Sequence, residues 1–120
     1  MARDRDARLL RCAGNAFDIY EQLNRRGGAA REVARQYLRA ATSIGANYAE
    51  AAAGQTKPDF ITRVAVARKE RRESLFWLQL IAAKNLLSAD VVKAELAEAR
   101  QLAAILTAIL RKAKETSARG

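Results

Sequence analysis

The sequence predicts an all-α protein: one domain over residues 1–120, folded as an antiparallel up-down-up-down four-helix bundle. Three observations predict it. Half of the residues are apolar, while only six are Gly and one is Pro, and Ala, Leu, Arg, Glu and Lys dominate, a helix-forming composition. Apolar residues recur three and four apart through four long segments. Three brief breaks separate those segments, and short connections force neighbouring helices antiparallel.

The first helix is expected near 6–26. Its apolar stripe runs Leu9, Ala13, Ala16, Tyr20 and Leu23, with Phe17 beside it, and Arg25-Arg26 followed by Gly27-Gly28 supplies a basic last turn and a glycine stop. The second, near 29–53, carries Val33, Tyr37, Ala41, Ile44, Tyr48 and Ala52 and ends at Gly54. Thr56-Lys57-Pro58-Asp59 opens the third, near 58–86, as a cap with proline in the first turn. Its stripe is Phe60, Val64, Ala67, Leu75, Leu78 and Ala82. Ser88 is the expected cap of the fourth, near 89–115, with Asp90 at the positive helix end. Val92, Leu96, Leu102, Ile105, Leu106, Ile109 and Leu110 form its stripe, and the tail from Lys114 to Gly120 is expected to fray through Thr116 and Ser117.

From Leu75 to Ala83 the only polar residue is Gln79. A surface helix of a monomer should keep a polar face, so something must cover this segment. A second copy of the chain is the expected cover, and closed assemblies are the usual outcome; enclosure of the third helix within the monomer is the competing explanation.

Charge is lopsided: 22 Lys and Arg against 13 Asp and Glu, a net +9. The excess is +4, +2 and +3 over residues 1–40, 41–80 and 81–120, so it is not a tail. Such a field attracts polyanions, nucleic acid foremost. An Arg- and Ala-rich helical protein would carry the same excess without any such partner. Cys12 is the single cysteine, which excludes an intramolecular disulfide and fits a reducing compartment. The N-terminus alternates Arg and Asp, unlike a signal peptide, and no apolar run reaches the ~20 residues of a membrane span. A cytoplasmic protein without a membrane partner is expected.

Two polar stripes stand out. Ser43, Asn47 and Glu50 lie at i, i+4, i+7, and Glu70, Glu73 and Trp77 at i, i+3, i+7, so each set shares a helix face. Together, Ser43-Ile44-x-x-Asn47-x-x-Glu50, Asp59-Phe60-Ile61 and Ala67-x-Lys69-Glu70-x-x-Glu73-Ser74-x-x-Trp77-Leu78 resemble the bacterial four helix bundle protein family. That family includes proteins encoded by intervening sequences in 23S ribosomal RNA genes and the accessory variability protein of diversity-generating retroelements. The resemblance covers roughly residues 10–115 and concentrates in 41–87. It implies an antiparallel bundle assembling into a homopentameric ring, a basic surface, nucleic-acid binding in the retroelement member, and no enzymatic activity. Ser43, Asn47, Glu50, Phe60, Glu70, Glu73, Trp77 and Leu78 carry the motif. The chain departs from the family in a less basic turn, Glu50-Ala51-Ala52-Ala53-Gly54-Gln55-Thr56-Lys57, and in Arg71-Arg72, which moves charge into the third helix.

Glu50, Glu70 and Glu73 invite comparison with di-iron bundles, but those sites use Glu-x-x-His and this chain has no His. Structural pairing with arginines, or with Ser43 and Asn47, is expected instead, and no metal or cofactor. The absence of His also leaves Cys12 without its usual base, so it is expected to pack, and the chain is expected not to be an enzyme. Three basic groups are the candidate nucleic-acid contacts: Arg31, Arg35 and Arg39; Arg68, Lys69, Arg71 and Arg72; and Arg111 and Lys112, with Lys114 beyond them. Five copies would carry about 45 excess positive charges, enough for counterion-release binding. No base-reading motif accompanies them. The expected function is a non-enzymatic, homo-oligomeric, pentameric basic scaffold binding RNA, DNA or a nucleoprotein partner without sequence preference. The alternative is a protein-interaction module whose charge serves only solubility. Trp77, among Leu75, Phe76, Leu78 and Leu80, is expected to pack or to meet another subunit.

Overall fold

A computed structural model describes residues 2–54 and 56–119; Gln55, in the turn singled out above, and Gly120, at the end of the tail, lie outside the described residues. Four helices, α1 (Ala2–Asn24), α2 (Gly28–Ala53), α3 (Lys57–Ala83) and α4 (Ala89–Arg119), make up the fold, with no strand among the described residues. They run up and down in a body 52 × 22 × 22 Å, α2 and α3 packing most extensively.

Both outer helices are longer than expected. α1 starts at Ala2, where Asp4 sits in the first turn at the positive helix end. α4 continues to Arg119. Lys112 and Lys114 favour its negative end, Ala113 is buried, and the Thr116 hydroxyl donates back to the Lys112 carbonyl. Gly27 and Gly28 have φ of 69° and 56°, the left-handed region glycine enters without strain, and make the α1–α2 turn. The Thr56 hydroxyl accepts the Asp59 amide at 3.2 Å, with Pro58 in the first turn of α3. The Ser88 hydroxyl accepts the Val91 amide at 3.3 Å.

α3 ends three residues earlier than expected, at Ala83, because Asn85 adopts φ 54°. The Asn85 amide donates to the Ala82 carbonyl and the Leu86 amide to the Ile81 carbonyl, the paired bonds of a Schellman stop. Asn is the residue other than Gly that tolerates this conformation.

Two apolar clusters fill the bundle. One gathers Ala16, Ile19, Leu23, Ala34, Tyr37, Leu78, Ile81, Leu87 and Val92; the other gathers Leu9, Ile44, Tyr48, Ala51, Val64, Ala67, Leu102, Leu106 and Leu110. Leu23, Leu78, Ile81, Leu106 and Val64 are the largest fully enclosed side chains, each worth ~1.5–3 kcal/mol of burial. The expected stripes hold at most positions. Elsewhere Ile19 and Ile81 are buried although outside them, Phe17 is exposed, and Ala51 rather than Ala52 faces inward.

Much of the segment from Leu75 to Ala83 is enclosed by the chain itself, since α3 packs against both α2 and α4. Leu78 and Ile81 are buried, and Leu75, Trp77 and Leu80 are partly covered. What remains is Phe76, 58% exposed, its ring edge-on to Trp77 at 5.1 Å between centroids.

Candidate nucleic-acid interface

The polar stripes of α2 and α3 meet through an arginine. Arg39 donates to Glu70 at 3.3 Å and to Glu73, and the Trp77 indole N–H donates to the same Glu73 carboxylate at 3.0 Å. Glu70 and Glu73 recur one turn apart on α3, so one guanidinium on α2 spans both. Because the fork is planar, it fixes rotation as well as register. Ser43 and Asn47 do not reach these carboxylates. The Ser43 hydroxyl donates to the Arg39 carbonyl and the Asn47 amide to the Ser43 carbonyl, both within α2; Asn47 Oδ1 also accepts from Arg63 at 3.5 Å. Glu50 is exposed, Phe60 half-buried and Leu78 buried. Among the described residues no three His, Cys, Asp or Glu side chains gather as metal ligands would.

The candidate contacts separate into three kinds. Arg39 is engaged by the clamp just described. Arg35 pairs with Glu32 one turn away on exposed surface, a contact that solvent largely screens. Arg68 and Arg71 are partly buried, and the Nε of each is shielded from solvent with no hydrogen-bond partner. Burial, reinforced by the neighbouring Arg72 charge, pulls the Arg71 guanidinium below its ordinary pKa. Arg31, Lys69, Arg72, Arg111 and Lys112 are exposed, with no ion pair among the described residues. Lys69 and Arg72 share a fully exposed stripe of α3 with Phe76 and Gln79, at i, i+3, i+7 and i+10. The groups do not merge into one patch on the monomer. Arg31 lies in the first turns of α2, some 25 Å along that helix from Tyr48, whereas Lys112 lines a pocket that includes Tyr48.

A polar layer between the two apolar clusters was not foreseen from the sequence. Arg8 of α1 holds Glu98 of α4 through two bonds, Nε to Oε1 at 2.6 Å and Nη2 to Oε2 at 3.1 Å. The Cys12 thiol donates to the same carboxylate at 3.3 Å, and the buried Tyr37 hydroxyl donates to Glu95 at 2.9 Å. Cys12, Tyr37, Arg71, Ser74, Glu95 and Glu98 line a cavity of about 30 Å³ there. The hydrogen bond from Arg8 holds the Glu98 carboxyl below its ordinary value. Burial raises Glu95, and burial together with Glu98 pushes Cys12 up to about 12. Tyr37 is raised as well, by burial and by the Glu95 charge. Glu95 and Glu98 are both on the inward side of α4, three residues apart, amid Leu96 and Leu102. That interruption of an apolar stripe was the available signal.

Taken together, this is a small, basic, all-helical four-helix bundle protein, held in register by a cross-helix arginine clamp and a central polar layer. The chain belongs to the 23S rRNA-intervening sequence protein family, whose model matches residues 10–108, a span that contains the whole Ser43-to-Leu78 motif. A crystallographically solved protein of unknown function from the S23 ribosomal protein family of Bacteroides thetaiotaomicron is similar to it. That likeness has a TM-score of 0.81 and 26% identity and covers 88% of this chain and 96% of the other. No curated protein matches the chain.

Proposed function

We propose that this chain is a non-enzymatic cytoplasmic scaffold that assembles with copies of itself into a ring, five-fold by family resemblance, and binds RNA, DNA or a nucleoprotein partner without reading base sequence. The observation that carries the proposal is the division of its cations. Arg8 and Arg39 are held by interhelical carboxylates, whereas Lys69, Arg72, Arg111 and Lys112 stand exposed within a net charge of +9. Phosphate neutralisation by such groups is sequence-independent and salt-sensitive. The chain contains no His, and Cys12, pushed up to about 12 beside Glu98, is a poor nucleophile at neutral pH. No helix among the described residues is long and apolar enough to cross a membrane.

Gel-shift titration with structured RNA tests the binding. Complex formation at low salt should weaken by ~10³–10⁵ between 50 and 200 mM salt if six to ten phosphates are contacted; no complex at low ionic strength would sink the proposal. Self-association is supported by Phe76, a large exposed aromatic on the Lys69–Arg72 stripe, and by Leu10 and Phe17 on α1, 75% and 53% exposed. Light scattering should give a multiple of the 13.2 kDa chain mass, and Phe76→Glu should release monomers. A wild-type monomer at micromolar concentration rejects the ring, while a ring that ignores nucleic acid leaves a protein-interaction module.

A further inference from the structure

One end of the bundle carries a pocket that takes only Lys112 from the three basic groups. Arg5 of α1, Lys57 of α3 and Lys112 of α4 converge around a floor of Tyr48, Phe60, Ile109 and Ala113, enclosing about 240 Å³. No carboxylate lines it. The Arg5 guanidinium lies 6.0 Å from the Tyr48 ring centroid, at the limit of a cation–π contact. Its Nε is shielded from solvent and has no hydrogen-bond partner.

Helix stability accounts for Lys112, near the negative end of α4, but not for Arg5 and Lys57. Arg5 is the fourth residue of α1 and Lys57 the first of α3, where the helix dipole favours an anion and penalises a cation. Three positive groups drawn from three helices also repel one another with no lining acid to relieve them. Such an arrangement becomes favourable when an anion occupies it. The floor narrows the class of anion. Tyr48 and Phe60 give an apolar, aromatic surface next to the charges, which suits a phosphate joined to a flat ring. A volume below the ~300 Å³ at which drug-sized pockets begin suits a fragment such as a phosphate with part of a base. A duplex keeps its bases stacked and paired, so only an unpaired nucleotide can offer both parts.

We propose that this pocket binds one unpaired nucleotide of a single-stranded nucleic acid, its phosphate held by Arg5, Lys57 and Lys112 and its base against Phe60 and Tyr48. The inference rests on the nucleic-acid reading above and adds to it a preference for single strands at a defined site. Lys57 and Lys112 are exposed, so Lys57→Gln combined with Lys112→Gln removes two of the three positive charges without disturbing the core. Phe60→Leu keeps the apolar volume and removes the ring, with thermal unfolding by circular dichroism confirming the fold.

Fluorescence anisotropy with a short single-stranded RNA and a duplex of equal length is the test. The lysine double variant should lose affinity for the single strand on the order of ten-fold. Phe60→Leu should lose single-strand affinity on the order of ten-fold and leave the duplex unchanged. Lys69→Gln with Arg72→Gln, away from the pocket, should weaken both forms alike. Wild-type binding that all pocket variants retain overturns the pocket and leaves the scaffold proposal standing. Loss in the lysine variant but none in Phe60→Leu shows a generic anion site, equally open to an acidic polypeptide, and overturns the assignment. No wild-type binding to either form defeats the scaffold proposal. Adenosine monophosphate then decides the pocket on its own: shifts of the Tyr48 and Phe60 ring resonances on titration sustain it, and unmoved resonances overturn it.

Discussion

Replacing Tyr37 with Phe isolates one hydrogen bond of the central polar layer. The ring is buried, 5% exposed, and its hydroxyl donates to Glu95 at 2.9 Å. Phe keeps the ring in place, so the change removes a donor rather than opening a sizeable cavity. Burial raises the Glu95 carboxyl, the Tyr37 bond opposes that shift, and the nearby Glu98 charge adds to it. A hydrogen bond to a charged group is worth ~1.5–3 kcal/mol, so Tyr37→Phe should cost that much at pH 7. Once Glu95 is protonated, the lost bond is neutral and worth only ~0.5–1.5 kcal/mol. The cost should therefore shrink by about 1 kcal/mol when the pH is brought to ~4, near the ordinary Glu value of ~4.3.

The sign follows from proton linkage. A carboxyl raised in the folded state holds its proton more tightly there than in the unfolded chain. Stability thus falls as pH rises from the unfolded pKa through the folded one. Removing the Tyr37 donor raises Glu95 further and deepens that fall. Glu98 acts oppositely: its value is lowered by Arg8, so its contribution is present above the unfolded pKa and fades as pH falls. Cys12, Arg8 and Arg71 also face this layer, but they are common to wild type and variant, and the difference between the two cancels them to first order. Urea unfolding followed by circular dichroism at pH 7 and pH 4, at one protein concentration, measures the difference. An equal cost at both pH values, or one under about 0.5 kcal/mol at pH 7, would refute the reasoning.

Three further outcomes follow from the same contacts. Glu95→Gln keeps an acceptor for Tyr37 and removes a half-buried charge, so it should leave stability at pH 7 unchanged or raise it by up to about 1 kcal/mol; a loss larger than that in urea unfolding contradicts the desolvation account. With its thiol pushed up to about 12, native Cys12 should react with a disulfide reagent at pH 8 at least ten-fold more slowly than in the unfolded chain, the lower thiolate fraction outweighing the greater nucleophilicity of the thiolate, and equal rates would show that neither burial nor Glu98 restrains the thiol. Thr56→Ala deletes the cap of α3 and should lower unfolding free energy by ~1 kcal/mol, whereas an unchanged midpoint would mean that the Asp59 amide finds another acceptor.

What the sequence made legible was periodic. The four helices, the Gly27-Gly28 turn and the caps at Thr56 and Ser88 follow from local rules that act within a few residues. Arg39 meeting Glu70 and Glu73 was legible in kind, because buried carboxylates need cationic partners, but the choice of Arg39 over Ser43 and Asn47 depended on the rotation of α2 against α3. The Asn85 stop was missed because the signal is a left-handed φ, which Asn permits without requiring. Glu95 and Glu98 interrupt the apolar stripe of α4, but their partners were not legible, because Cys12, Tyr37 and Arg8 come from other helices and meet them only in the packed bundle.

The same distinction separates the two uses of positive charge. An arginine that sets register must sit across from a carboxylate on the facing helix, and Arg8 and Arg39 do so. Removing Arg8 leaves the partly buried Glu98 without its cation, and removing Arg39 does the same to Glu70 and Glu73. No such constraint fixes Lys69, Arg72 or Arg111, exposed on α3 and α4, and their replacement by neutral residues should cost the bundle little. Arg5 and Lys57 go further, standing where the helix dipole disfavours them. Cations that the helix dipole disfavours, gathered at one pocket with no lining acid, are better explained by what they bind than by what they hold together. Because positions 5, 57 and 112 meet only when α1, α3 and α4 are packed, that pocket forms only with the bundle, and ligand binding there should stabilise the fold in proportion to occupancy.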